Sequence, residues 1–392
     1  MRTLCVKNGE KSAVATYTFS FAKEHELPVL SIAIDGGKLY GDTGILSNPN
    51  RNYSSEAVIT LTENGEVKFT EGCLFKLHGN DSRKGAKQNF RIKFLAKYGC
   101  SSLKYDLFDN RDYAEFNELV LKGGSEDYRY ANMRDEICTT LVDGVTTLHV
   151  QALKPVILYI AGEYWGIYFI RECISPEYME SRLGAPADSF EKAYFKNHES
   201  GYTGDYEELR QFCKNNDLSI NANCDYVLSK IDYMEMIDWY ICRSFFGDRD
   251  IDNTKLYKSD LADGLFHWTF FDLDWGIWHN VDYSLQMLTD IGRDSVFNNL
   301  IKNKKFQLMY ADRAKELLNT VLTEERFSER VEYFISLEAS EIEHDRQRWG
   351  LSMETYYEHI DFIRNFDKNG ARKAALESEM INLFNLPTDY FD

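Results

Sequence analysis

The chain has 392 residues, of which 44% are hydrophobic and only six are proline, so it is long enough for two lobes that each bury a core. Its net charge of -18 argues against binding to nucleic acid or to an anionic membrane, because phosphate recognition usually requires a basic surface. No run of about eighteen apolar residues occurs, so no membrane span is expected. The first residues also lack the basic start and the apolar core of a signal peptide.

The eight cysteines are scattered, with no Cys-x-x-Cys pair and no histidines at the spacing of a zinc site. Several of them occupy apolar positions of predicted helices or strands. We therefore predict reduced, mostly buried thiols, as in a reducing compartment.

The first part of the chain is predicted to be rich in β-strands. Residues 27–35, LPVLSIAID, have the composition of a strand. Further apolar runs follow at 57–62, 67–70 and 73–79, and Asn64-Gly65 between the first two of them predicts a tight hairpin.

The segment 75–94, FKLHGNDSRKGAKQNFRIKF, predicts two strands joined by a loop of small and basic residues that ends at Lys87. A glycine-containing loop between antiparallel strands can bind phosphates through its N–H groups and nearby cations. Arg91 and Lys93 share one face of the second strand, while Phe90 and Ile92 share the other, apolar face. The basic face is predicted to contact either a nucleotide or only water.

A strand at 116–124, a helix over 125–142 and a hairpin over 154–172 complete this part of the chain. The end of the hairpin, Tyr168 to Cys173 with Glu172, is predicted to connect two lobes and to present backbone groups to an adenine ring, with simple hairpin packing as the alternative. Residues 1–172 form the predicted β-rich lobe with one helix, and residues 173–392 form a mainly helical lobe. Its predicted helices are 176–183, 205–215, 224–230, 295–303, 305–320, 324–343, 356–366 and 372–384.

The stretch from Ile231 to Gly276 carries the predicted chemistry. A buried helix ends at Phe246-Gly247, and Asp248 follows at once, with Asn253 five residues later. Protein kinases place a catalytic Asp, a metal-binding Asn five residues on, a hairpin and then a metal-binding Asp in this order. Phosphoryl transfer needs such groups because it depends on positioning and on charge neutralisation.

The hairpin that follows is predicted from the strands 254–258 and 265–274. On the second strand, Asp272 and Asp274 share a face because side chains alternate, and either can bind metal. Two other interpretations remain. The spacing Asp248-x-Asp250-x-Asp252 begins like a calcium loop, although Asn253 and Ser259 stand where such a loop needs Gly and Glu, and an acidic chain also forms solvated acidic loops.

With these motifs in order, the chain resembles the spore-coat protein H (CotH) kinase family of atypical protein kinases. The resemblance runs, with gaps, from about Leu27 to Trp278, and it rests on LPVLSIAID, on HGNDSR followed by KQNFRIKF, on YIAGEYWGIYFIRE, and on GDRDIDNTKLYK with FFDLDWG. It implies an α+β, two-lobed kinase-like fold, binding of ATP with Mg²⁺ or Mn²⁺, and transfer to Ser or Thr hydroxyls.

The resemblance also implies roles for single residues. Asp248 becomes the catalytic Asp, and Asn253 and Asp272 become metal ligands, with Asp274 as a rival to Asp272. Lys93 is the first choice for the phosphate-binding lysine, and its competitors are Arg91, Lys87 and Lys76. The chain departs from the family pattern at His78, where Arg is usual, and from ordinary kinases at Phe246-Gly247.

The sequence therefore predicts a metal-dependent kinase acting on a protein, and the acidic charge suits a basic, Ser-rich substrate. The alternatives are a non-catalytic scaffold domain and a kinase-fold enzyme that transfers AMP or attaches glutamate. The resemblance leaves two locations open, cytoplasmic or associated with a spore coat or cell surface. The sequence makes no prediction of the oligomeric state.

Overall fold

The computed structural model describes residues 2–3, 6–11, 15–16, 24–194, 204–248, 250, 254–278 and 295–392. Within these residues the chain is mixed α+β, as predicted, with strands concentrated in the N-terminal part and helices in the C-terminal part. None of the described helices combines the length and the hydropathy that a membrane crossing requires. The seven described cysteines are all free, and six of them are buried, as expected for reduced thiols.

The chain divides into two compact units. Residues 1–132, 152–173 and 336–356 cluster in the first unit, and residues 133–151, 174–335 and 357–392 cluster in the second. One boundary of this division lies between residues 173 and 174. Segment 133–151 belongs to the second unit and segment 336–356 to the first, because tertiary contacts rather than chain order determine where a segment packs.

The first unit contains a closed barrel of seven described strands. They are β1 (Val29–Ala33), β2 (Ser54–Glu63), β3 (Glu66–Leu77), β4 (Phe90–Lys93), β5 (Glu118–Lys122), β6 (Leu153–Ile160) and β7 (Glu163–Glu172). Around the barrel they follow the order β5–β7–β6–β1–β2–β3–β4, and all neighbours are antiparallel except β1 and β6, which are parallel. An apolar cluster that includes the stacked Phe75 and Phe90 fills the core of this unit.

Two of the predicted hairpins, both in the first unit, form at turns of the same geometry. Asn64 and Gly65 both have positive φ, 51° and 78°, which matches the twist of the strands β2 and β3 that they join. Ala161 and Gly162 repeat this geometry between β6 and β7, with φ of 52° and 84°. The predicted runs 67–70 and 73–79 belong to one continuous strand, β3, which ends at Leu77.

The second unit contains a four-stranded sheet and most of the helices. The sheet consists of the two-residue strand His149–Val150, β8 (Glu191–Tyr194), β9 (Lys255–Lys258) and β10 (His267–Phe270). The described helices of the whole chain are α1 (Gly36–Leu39), α2 (Arg134–Val142), α3 (Pro176–Leu183), α4 (Asp205–Asn215), α5 (Asn221–Leu228), α6 (Tyr233–Phe246), α7 (Ser295–Leu300), α8 (Lys304–Thr320), α9 (Glu324–Glu338), α10 (Ile342–Trp349), α11 (Met353–Arg364) and α12 (Ala371–Phe384).

Two predicted helices are interrupted in the structure. The helix predicted over 125–142 is a 3-10 segment, Ser125–Arg129, followed by α2, because Asn132 adopts the left-handed conformation with φ of 63°. The helix predicted over 324–343 ends at Glu338, and α10 begins at Ile342. Asn132 and Glu338 are hydrogen-bonded to each other at 3.0 Å, so the two interruptions meet.

Candidate active site

The position of Asp248 follows from the way in which α6 ends. The Asp232 carboxylate accepts the Glu235 N–H at 3.0 Å and caps the start of the helix. At the other end Gly247 has φ of 68°, a left-handed conformation that glycine adopts without strain, and its N–H bonds to the carbonyls of the last turn. The chain therefore reverses at Gly247 and places Asp248 against the helix that precedes it.

Arg243, in the last turn of α6, holds the Asp248 carboxylate. Both side chains are buried, and one guanidinium nitrogen of Arg243 bonds to Asp248 and also donates to the Asp250 carbonyl at 3.1 Å. The second guanidinium nitrogen donates to the Phe271 carbonyl at 2.7 Å, and the guanidinium lies 4.7 Å from the Trp239 ring centre. Arg243 thus ties the acidic loop to the segment that leads to Asp272.

Asp248 has an unusually basic carboxylate. Burial raises the pKa of Asp248 to about 7, although the Arg243 charge and a hydrogen bond from the Asp250 N–H at 3.0 Å act in the opposite direction. The charges of Asp250 and Asp272 also raise this pKa. Both residues adjoin Arg243, which donates to the Asp250 carbonyl and to the carbonyl of Phe271, the neighbour of Asp272. A carboxylate with a pKa near neutrality is suited to accept a proton from a hydroxyl.

Asp272 and Asp274 lie beyond the end of β10, in an irregular segment, 271–278, in which residues 274–277 form a turn. The prediction that they share one face of a strand is therefore wrong. The strand ends at Phe270, and Asp272 has φ of 64°, so the alternation of strand side chains does not apply here. Asp274 is buried, and Asp272 is half-buried.

Hydrogen bonds that involve backbone groups hold this turn. The Leu273 N–H donates to the buried Asp135 carboxylate at 2.8 Å, and the Ile277 N–H donates to the carbonyl of Phe246, the last residue of α6, at 2.7 Å. The Trp278 indole donates to the Asp274 carbonyl at 2.8 Å. Hydrogen bonds to buried residues of α2 and α6 therefore fix the backbone of this turn.

The second unit therefore brings together Asp248 and Asp272, two of the predicted site residues, and a further carboxylate, Asp250. Asp274 lies in the same segment as Asp272. Carboxylate oxygens are the ligands that Mg²⁺ prefers, so Asp272 and Asp274 are suited to hold such an ion. Asn253, the other predicted metal ligand, lies outside the described residues.

Lys87, one of the predicted phosphate contacts, is buried in the first unit. Its ammonium lies 2.9 Å from the Asp345 carboxylate on α10 and 3.3 Å from the Asn132 amide oxygen. Asp345 also accepts the Ile167 N–H at 2.8 Å. This close approach requires Gly166, because a Cβ there would lie 1.9 Å from the Asp345 carboxylate. The contacts of Lys87 tie α10 to the barrel.

Replacing Lys87 with Met is expected to lower the free energy of unfolding by about 3–5 kcal/mol, because Asp345 would be left as an uncompensated buried charge. Chemical denaturation measures this loss. The double variant Lys87→Met/Asp345→Asn should recover most of it, since the unpaired charge is then absent. Lys84→Met is the matched control, because Lys84 lies on the same loop but is exposed and pairs only with exposed Asp81. A Lys87→Met variant as stable as the control would contradict this account.

Lys93 and Arg91 lie on the outer face of the barrel strand β4. Both pair with Glu118 of the neighbouring strand β5, Lys93 at 2.7 Å, and Lys93 remains about half-exposed. Lys76 lies opposite Arg91 on β3, and burial followed by the Arg91 charge lowers its pKa. This face is therefore basic and accessible, as the sequence predicted, and the phosphate contact of Lys93 or Arg91 stays a prediction.

Glu172, at the end of β7, is buried within the first unit. Its carboxylate accepts the Ala152 N–H at 2.7 Å and the Arg111 side chain at 3.3 Å, and it also bonds to the Tyr113 hydroxyl. These bonds fix the end of the hairpin to Ala152, just before β6, and to residues 111–113, which precede β5. The nucleotide contact predicted for Glu172 stays a prediction.

Sequence reasoning missed two residues that hold the acidic site, Arg243 and Asp135. Arg243 leaves a signal, because a lone arginine in the apolar run of α6 is rarely buried without a partner, and Asp248 follows five residues later. The role of Asp135 has no signal in the sequence, because its partner, the Leu273 N–H, is 138 residues away in the chain.

These features define an α+β protein whose second unit gathers buried carboxylates at the end of a capped helix, beside a turn fixed by its backbone. A comparison with protein families supplies the class. A sequence model of the family described as CotH kinase protein matches residues 75–373, so the chain belongs to the CotH kinase family. Membership supports a kinase-type enzyme. A search of the curated proteins finds no match.

Proposed function

We propose that the protein is a metal-dependent protein kinase that transfers the γ-phosphate of ATP to Ser or Thr hydroxyls of a protein. The observation that carries this proposal is the buried Asp248, whose pKa is raised to about 7 and whose carboxylate is held by Arg243 near Asp272. Family membership supports a kinase-type reaction, and the buried position of Asp248 in the same unit as Asp272 and Asp274 supports the proposed roles of these carboxylates.

In the proposed reaction Asp248 orients the acceptor hydroxyl and accepts its proton as the bond to phosphorus forms. Arg243 binds one carboxylate oxygen of Asp248 and keeps the side chain in place. The other oxygen accepts the Asp250 N–H. Asp272 and Asp274, with Asn253, are the proposed ligands of Mg²⁺ or Mn²⁺. Such an ion supplies charge neutralisation at the nucleotide phosphates.

The proposed phosphate contact is Lys93, with Arg91 as its competitor, because both occupy the accessible basic face of β4. Lys87 is the weaker candidate, since its ammonium is already bound to Asp345. For the acceptor we propose a basic, Ser-rich protein, because the net charge of -18 favours association with a cationic partner.

ATP together with Mg²⁺ or Mn²⁺ is expected to raise the thermal midpoint of the wild type, because a ligand that binds only the folded state stabilises it. At a ligand concentration about 100-fold above Kd the gain is about 2.7 kcal/mol, which corresponds to a few degrees. Asp272→Ala or Asp274→Ala should abolish the part of the shift that needs metal. Differential scanning fluorimetry, with each ligand alone and with both, measures this.

The matched control is Asp260→Ala, because Asp260 is an exposed carboxylate in the turn after β9. Asp260→Ala should show the same rise of the thermal midpoint with ATP and metal as the wild type. If ATP and metal together leave the midpoint of the wild type unchanged, the proposed mechanism is wrong and a scaffold role is favoured.

A further inference from the structure

A second group of metal-ligating side chains lies in the second unit at the other end of α6. Glu235 occupies the first turn of α6, His267 begins β10, and His149 lies on the two-residue strand that pairs with β10. Asp248 follows the opposite end of this 14-residue helix, about 20 Å away at 1.5 Å per residue. The group is therefore separate from the acidic site.

One potential ligand atom from each of these three residues lies within 4.8 Å of the other two. Glu235 bonds to His267 Nδ1 through Oε2 at 2.7 Å, and its Oε1 lies 3.8 Å from His149 Nε2. Tetrahedral Zn²⁺, with bonds of about 2.0–2.2 Å, keeps its ligand atoms about 3.3–3.6 Å apart. Side-chain adjustments of about 1 Å would therefore place all three atoms at ligand distance.

The Glu235 carboxylate has one oxygen that the fold leaves unused. Glu235 is only 1% exposed, and its Oε1 has no hydrogen-bond partner among the described residues. A buried, unpartnered carboxylate oxygen costs free energy, and such an atom in a native protein calls for an explanation. A cation between Glu235 and His149 would satisfy it.

Asp263 supplies the support that metal-bound histidines usually have. Its carboxylate lies 3.1 Å from His267 Nε2, on the opposite side of the ring from Glu235. A carboxylate at this place holds the proton on Nε2, so that Nδ1 can exchange its bond to Glu235 for a bond to a metal, as in carboxylate–histidine–zinc arrangements. The Leu265 N–H donates to Asp263 at 3.0 Å and fixes its orientation.

We propose that His149, Glu235 and His267 bind a divalent transition metal of the zinc class, with Asp263 orienting His267. Two imidazoles and one carboxylate suit Zn²⁺ and do not suit Mg²⁺, which prefers oxygen ligands. His149 is 18% exposed at its side chain, so water can complete the coordination and the ion can enter. The metal joins α6, β10 and the strand His149–Val150, so its role is structural.

Metal content of the full-length protein tests this proposal. After treatment with a chelator and dialysis against Zn²⁺, the wild type is expected to hold one Zn²⁺ per chain by mass spectrometry. Bound Co²⁺ is expected to show the visible absorption of a tetrahedral site, and Zn²⁺ should raise the thermal midpoint.

His149→Gln is the main variant, because His149 makes no short hydrogen bond in the described structure whose loss would disturb folding. It should bind Zn²⁺ at least tenfold more weakly. Asp263→Asn should weaken binding about 10–100-fold, which is the usual effect of losing a carboxylate behind a ligating histidine.

Asp272→Ala serves as the control for the acidic site and should keep one Zn²⁺. His344→Gln serves as the control for histidine content, because His344 stacks on Tyr164 in the first unit, and it should also keep one. The proposal is overturned if the wild type binds Zn²⁺ no more tightly than His149→Gln, or if Asp272→Ala is the variant that loses the ion.

Discussion

Replacing Asp248 with Asn is expected to lower kcat for phosphate transfer about 10²–10⁴-fold while ATP binding is retained. The amide has nearly the same shape as the carboxylate but cannot accept the proton of the acceptor hydroxyl, and general base catalysis contributes a factor of this size. Steady-state kinetics measures kcat, and the thermal shift with ATP and Mg²⁺ measures binding. Asp260→Asn, at an exposed carboxylate of the same unit, should keep the wild-type rate.

The pH dependence of the wild type provides a second readout for Asp248. Burial raises its pKa to about 7, so at lower pH the carboxylic acid is protonated and cannot act as a base. kcat/KM should therefore increase as the pH rises through about 7 and then level off, because this parameter reports the free enzyme. A rate that does not change across this range, or an Asp248→Asn variant that keeps the wild-type kcat, would contradict the role of Asp248.

Replacing Arg243 with Met is expected to lower the free energy of unfolding by about 3–5 kcal/mol, which is the usual effect of breaking a buried ion pair from one side. Without this counter-charge the pKa of Asp248, already raised by burial, would rise further, so folding would require protonation of Asp248 at a cost in free energy. The carbonyls of Asp250 and Phe271 would also lose their donor. Urea denaturation of the purified protein measures the change.

Two further variants show whether the loss comes from the buried charge. Arg243→Met/Asp248→Asn should be more stable than Arg243→Met alone, because the neutral amide requires no protonation on folding. Arg364→Met is the matched control, since Arg364 pairs with Glu332 on an exposed surface of the same unit. If Arg243→Met and Arg364→Met lose the same small free energy, Arg243 does not hold Asp248 as described.

Elements with strong local signals were predicted well from the sequence. Ser175-Pro176 begins α3, and the Ser175 hydroxyl accepts the Tyr178 N–H, while Gly247 ends α6 with positive φ. The hairpin turn at Asn64-Gly65 is equally local, since it depends on two adjacent residues that adopt positive φ. Such features follow from neighbouring residues, so their residue types alone indicate them.

Features that depend on distant pairing were not predicted. The barrel closes partly through the parallel register of Leu30 with Leu158, and no local pattern encodes this contact. Lys87 shows the same limit, because its partner Asp345 is 258 residues away and lies on a helix that was predicted for the other lobe. The position of Lys87 in a glycine-containing loop predicts a phosphate contact, and the structure shows its ammonium in a buried ion pair with Asp345.

The candidate acidic site was predicted in part. The sequence indicates the order of Asp248, Asp272 and Asp274 along the chain. It predicts a strand for Asp272 and Asp274, however, whereas the structure places both beyond the end of the strand. Strand composition continues through Phe271, and the positive φ of Asp272 has no signal in its residue type. The cluster of His149, Glu235 and His267 was equally hidden, because metal spacing is recognisable only when ligands are close in the chain.

The most direct test of the central claim compares ATP labelled at the γ-phosphate with ATP labelled at the α-phosphate. Each is incubated with Mg²⁺ or Mn²⁺, the full-length protein and a library of Ser- and Thr-containing peptides that includes basic ones. We expect the γ label in the peptides, no α label, and neither label with Asp248→Asn. Incorporation of the α label would indicate AMP transfer, and the absence of both labels from every peptide would contradict a kinase.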